Sequence, residues 1–211
     1  MGLLEAAGDG RYTMHQTIAD YARFHLDTHA PQERLVAYTL TFLERHRVDY
    51  EILAQECSII LLALEAAFLL GKHREVVRGV CTFLPFLILR CNYTVAQYHL
   101  QHARQAALVL DDSEGLVATS LYLGDLAGRQ GKYVQSQTLL QEGIIYARRQ
   151  GDMEHLCALL SLLGRPLWKQ GKYAQAETSL QEGLLLARQN GYRDQMSELL
   201  STLGSVVASM G

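Results

Sequence analysis

Proline is nearly missing from this chain, 3 in 211 residues, so little in the sequence interrupts helices. A basic excess is missing too. Lys and Arg number 19 against 22 Asp and Glu, a formal net charge of −3, and that balance excludes a general electrostatic footprint for nucleic acid. No apolar run reaches membrane-spanning length. The most apolar stretch, CSIILLALEAAFLL from Cys57 to Leu70, contains Glu65 and falls short of the ~18–20 residues a bilayer span needs. It reads as a buried core helix, and no membrane partner is expected. No charged segment followed by an apolar core opens the chain, so no signal peptide is read. The 4 cysteines (Cys57, Cys81, Cys91, Cys157) have no metal-ligand spacing and read as buried free thiols of a reducing, cytoplasmic compartment. Also missing are GxxxxGK[ST], Gly-x-Ser-x-Gly, His-Glu-x-x-His and Cys-x-x-Cys. With no phosphate cradle and no visible nucleophile–base pair, the chain reads as non-catalytic, with no cofactor.

What the chain has is a block that repeats itself. Residues 131–150 read GKYVQSQTLLQEGIIYARRQ and residues 171–190 read GKYAQAETSLQEGLLLARQN; eleven of the twenty positions are identical at an offset of 40. A fixed period in the 20–50 range is the signature of a repeat architecture, in which each unit buries its apolar face only against its neighbours. A degenerate copy at 91–110 keeps five of twenty positions of 171–190, among them Tyr93, Leu100 and Gln101. Leu-Gly pairs recur at Leu123-Gly124, Leu163-Gly164 and Leu203-Gly204.

Chain breakers recur at half the period: Gly71, Cys91-Asn92, Asp111-Asp112, Gly131, Gly151, Gly171, Gly191 and Gly211. The segments between them suit helices of four to five turns. Within one segment Leu180, Leu184 and Ala187 share a face. Hairpin turns are predicted near residues 71, 91, 111, 131, 151, 171 and 191, with at most one short strand, near Arg11–Met14. Pro85 and Pro166 fall inside predicted helices. The fold class is all-α, an array of antiparallel helix pairs with 40-residue repeats and an expected right-handed superhelical sense.

Leu163-Gly164, Gly171-Lys172-Tyr173, Ala176, Leu180, Gly183 and Leu184 resemble a tetratricopeptide repeat, and so do Leu123-Gly124, Gly131-Lys132-Tyr133, Ser136, Leu140, Gly143 and Ile144. The departure is length, 40 residues against the family's 34. Lengthened repeats of this kind resemble those of bacterial regulators and kinesin-light-chain-like proteins. The resemblance covers 113–211 well and 73–110 weakly.

The first 30 residues do not fit the repeat. The string GRYTMHQTIADYARFHL resembles the end of the winged-helix domain in STAND-type NTPases, the NB-ARC group, through Met14-His15, Ile18, Asp20, Tyr21, Ala22 and Arg23. The resemblance implies that His15 would contact a bound nucleotide's phosphate, and only with the full-length NTPase present. Gln16 stands where an Asp is usual in that group's eukaryotic members. The resulting division is a winged-helix remnant at 1–30, linking helices at 31–72, and repeats at 73–211 truncated at the C-terminus. The alternative for 1–30 is a simple capping helix.

The resemblance also points to a groove lined by the first helix of each unit: Leu121, Asp125, Gly128 and Arg129 in one, Ser161, Arg165, Trp168 and Lys169 in the next. Asp125, Arg129, Arg165, Trp168 and Lys169 are the candidate partner-binding residues, suited to a protein or peptide carrying an acidic group. The bland reading packs Trp168 between helices and leaves the charges solvated. His99 and His102, at i, i+3, have no carboxylate or third His nearby in sequence, so no metal site is read there; His25 and His29 are treated alike. The function expected is an interaction or effector-sensing arm of a larger STAND-type ATPase or transcriptional regulator, with an NTPase domain as a possible partner. The alternative is a nucleic-acid-binding regulator fragment.

Overall fold

Every twenty residues the backbone steps into the left-handed region. Gly71, Cys91, Asp111, Gly131, Gly151, Gly171 and Gly191 all have positive φ, between 51° and 75°. At each, the next residue's N–H donates to the carbonyl five positions back, as in Lys72 to Ala67, Asp112 to Ala107 and Lys172 to Leu167, at 2.9–3.0 Å. This is the bond that closes a Schellman motif and satisfies carbonyls the helix end leaves open. The seven turns fall where the sequence predicts them.

The computed structural model describes Leu4–Gly8, Arg11–Met14 and residues 30–209. Between the turns run α4 (His73–Leu89), α5 (Tyr93–Leu110), α6 (Ser113–Arg129), α7 (Tyr133–Gln150), α8 (Met153–Lys169), α9 (Tyr173–Asn190) and α10 (Arg193–Ala208). Ahead of them lie α1 (Ala30–Arg45), α2 (Tyr50–Gln55) and α3 (Cys57–Leu69). Asp112 and Asp152 cap α6 and α8, each accepting from an N–H three residues on at 3.0 Å. Pro85 and Pro166 do fall inside helices. Among the described residues no helix is long and apolar enough to cross a membrane.

From α2 onward consecutive helices pack against one another, and first helices also meet first helices: α4 with α6, α6 with α8, α8 with α10. Small residues set the approach within a pair. A Cβ placed on Gly124 would sit 2.6 Å from a Leu140 methyl, and one on Gly164 2.6 Å from a Leu180 methyl. Ser136, small as well, donates its hydroxyl to the Gly124 carbonyl at 2.7 Å. One polar contact repeats with the same period: Gln130 reaches Gln97 at 3.3 Å and Gln170 reaches Gln137 at 3.1 Å. Glu142 and Glu182, also 40 apart, accept from arginines that are not, Arg104 and Arg148.

Two apolar cores result. One runs from Val36 through Phe83 and Leu100 to Leu123; the other runs from Val117 through Leu140 and Leu180 to Val206. Helix α6 gives residues to both. Each fully buried leucine stabilises by about 1.5–3 kcal/mol on leaving water.

Three expectations need correction. Leu4–Gly8 (β1) and Arg11–Met14 (β2) form an antiparallel hairpin, paired Leu4 with Met14 and irregular between Ala6 and Gly8, so two strands are present where at most one was expected. Helix α3 is buried on one face only: Ile60, Ala63 and Leu64 face the core, while Ile59 is 45%, Leu62 61% and Leu69 75% exposed. Among the described residues α3 packs mainly on α1 and α4, with a smaller contact to α5, and Ile59, Leu62 and Leu69 are left uncovered. The four cysteines are free, but only Cys157 is buried and Cys91 is exposed, because Cys91 sits on a turn. His15, His25, His29 and the Ile18–Arg23 string lie outside the described residues.

Candidate functional site

The first-helix layer places Asp125 and Arg129 on α6 and Arg165, Trp168 and Lys169 on α8. Asp125 and Arg129 are one turn apart, and the Arg129 Nε donates to Asp125 Oδ2 at 2.8 Å. That hydrogen bond holds the guanidinium above its ordinary pKa, against the opposing effect of burial. Arg129 borders a narrow apolar cleft with Tyr93 and Tyr122, toward the preceding unit. It is therefore committed to Asp125 and faces away from the following unit's cleft.

Asp125 also lines a second cleft, between α6, α8 and α10, with Gly128, Ser161, Arg165, Glu198 and Thr202. Arg165 is exposed at its rim. Ser161 is 3% exposed, and its hydroxyl has no hydrogen-bond partner among the described residues. A buried hydroxyl without a partner costs roughly 1–3 kcal/mol relative to a paired one. A ligand donor or acceptor entering here would remove that cost.

Trp168 and Lys169 form a separate patch. The Lys169 ammonium stands 4.2 Å over the Trp168 ring, a cation–π contact. The indole N–H donates to Ser209 Oγ at 2.9 Å, at the end of α10, and the ring is half-buried against the second core. The bland reading of Trp168 is thus part of the answer: it packs between helices and still presents an edge. Neither residue lines the Asp125–Arg165 cleft. Leu121 turns inward and packs on the second core.

The five expected residues therefore fall into three groups: Asp125 with Arg129, Asp125 with Arg165, and Trp168 with Lys169. Sequence reasoning missed Glu198 and Thr202. The 40-residue offset relates Thr202 to Leu162, itself in the cleft, but relates Glu198 to Ala158, which is not.

No protein-family model matches the chain, and no curated protein matches it. The class is the one the fold itself defines, an all-α array of packed helix pairs with a 40-residue period.

Proposed function

We propose that the chain is a non-catalytic interaction arm that binds a protein or peptide across α6, α8 and α10. The observation that carries the reading is the cleft with a buried, unpartnered Ser161 hydroxyl at its base and Arg165 at its rim. A peptide backbone supplies the donor or acceptor that Ser161 lacks, and an acidic side chain supplies a charge for Arg165. The resemblance of the units to tetratricopeptide repeats supports the same face. The Met14-His15 string supports a finer reading: the arm of a larger STAND-type ATPase or regulator, whose His15 takes part in nucleotide sensing only when the NTPase domain is present. The chain itself has no phosphate-cradling loop, so calorimetry with ATP should give no binding.

The test is peptide display against the full chain. Enriched peptides should carry acidic residues, and Arg165→Glu should weaken them at least ten-fold. Trp168→Ala should lose about 2 kcal/mol of binding if the ligand reaches the second patch, while Gln181→Ala on exposed α9 surface should be silent. A confirmed ligand that binds Arg165→Glu and Trp168→Ala as tightly as the parent, with helicity unchanged, removes this face from consideration.

A further inference from the structure

His99 and His102 are one turn apart on α5, and the fold brings Glu65 of α3 to them. One ligand atom from each lies within 4.8 Å of the other two. Among the described residues this is the one group of three such side chains. The His102 Nδ1 is 3.8 Å from Glu65 Oε2. That is too long for a hydrogen bond, and this nitrogen is buried with no hydrogen-bond partner among the described residues. Two metal–ligand bonds of about 2.0–2.2 Å, opened to a tetrahedral angle or somewhat wider, span roughly 3.3–3.9 Å. The gap that is wrong for a hydrogen bond is right for an ion between the two atoms.

The surroundings hold the donors in place. The His102 ring lies flat on Phe68, centroids 3.7 Å apart and planes 4° apart. The Tyr98 hydroxyl donates to the Glu65 carboxylate, 3.1 Å from each oxygen. A bond of that kind orients a ligating carboxylate from outside the coordination sphere. His99 is 5% exposed and meets the edge of Tyr98. Glu65 keeps 34% of its side chain exposed, which leaves an ion a way in.

We propose that Glu65, His99 and His102 form a binding site for a divalent first-row transition-metal ion. Two imidazoles and a carboxylate are a zinc-type donor set, and three protein ligands leave a fourth position for water. The ion would join α3, ahead of the repeats, to α5 in the first helix pair. It is independent of the peptide-binding reading.

The experiment is calorimetry of the chelator-treated full chain with zinc chloride, alongside cobalt(II) absorption and thermal melting. One ion should bind per chain, raise the melting temperature and give cobalt d–d bands without a thiolate charge-transfer band. Glu65→Gln and His102→Ala should each weaken binding at least ten-fold. His155→Ala, at the distant Asp152–His155 pair, should leave binding unchanged. Glu65→Gln keeps the side chain's shape, so it reads the site even if His102→Ala loses fold by losing its stack on Phe68. Any of three results overturns the proposal: no heat and no thermal shift with zinc in large excess, binding unaltered in folded Glu65→Gln, or a cobalt thiolate band that assigns the ion to cysteine.

Discussion

The pair α4/α5 and the pair α6/α7 have the same backbone turns and different interiors. Where α6/α7 sets Gly124 against Leu140, the positions 40 residues earlier are Leu84 and Leu100, both at most 1% exposed. Where the later turns use Gly131 and Gly151, the earlier ones use Cys91 and Asp111, with the same sign of φ. Only five of twenty positions of the 91–110 copy match, yet the turn hydrogen bonds are the same. The period is therefore carried by main-chain geometry and an apolar face. A glycine packed against the partner helix of its own pair belongs to the later pairs, whereas Gly79 of α4 packs instead on Leu64 of α3.

That contrast predicts opposite responses to size. Leu84→Ala removes a fully buried leucine from the pair that needs bulk, and should cost about 2–5 kcal/mol in chemical unfolding. A loss below about 1 kcal/mol would mean the early pair closes up as the later ones do, and the contrast would fail.

The reverse change comes next. Gly164→Leu would force a side chain onto Leu180, three of whose atoms lie within 2.6–2.9 Å of the added Cβ. Gly124→Leu would meet Leu140 in the same way. Each should cost about 3 kcal/mol, the upper end of ordinary overpacking. If both melt with the parent, the first-helix glycines do not mark the contact between α6 and α7 or between α8 and α9.

Much of this was legible in the sequence, for a physical reason. A turn residue with positive φ selects glycine, so the breakers at 71, 131, 151, 171 and 191 announce themselves, and the offset of 40 then finds Cys91 and Asp111. Gly124 and Gly164 were legible because the Leu-Gly pair recurs. The packing of α3 on α5 was not. The linking helices carry no repeat, so no offset places Glu65 beside His99 and His102, and the sequence shows those histidines without their carboxylate. The grouping of Arg129 with Asp125, apart from Arg165, was equally hidden: spacing puts residues on a face but does not say which charge a side chain turns to. Thr202 lies one period after Leu162, but Glu198 lies one period after Ala158, outside the cleft, so nothing in the spacing marks it.

A smaller prediction isolates the turn from the packing. A Cβ on Gly131 would meet no other atom within 4 Å among the described residues. Gly131→Ala therefore costs only the backbone strain of an L-residue at φ +75°, on the order of 1 kcal/mol, offset in part by the alanine's lower chain entropy when unfolded. A measured cost above ~3 kcal/mol would show a steric contact that the open surroundings exclude.

The smallest effect runs the other way and bears most directly on what separates the two regions. Cys91 holds φ +54° without the freedom glycine has there. For a non-glycine residue this region costs roughly 1–2 kcal/mol, while glycine carries an entropic cost of about 0.5–1 kcal/mol on folding. The net for Cys91→Gly is a gain of about 0.5–1 kcal/mol. Asp111→Gly should gain less, since a short polar side chain tolerates this region better than cysteine does. Cys91 is exposed and on a turn, so the substitution removes no core packing; the Tyr93 hydroxyl stands 3.8 Å from the sulfur. Denaturant unfolding should show a higher midpoint at unchanged slope. A lower midpoint would mean that the cysteine has a role beyond the turn.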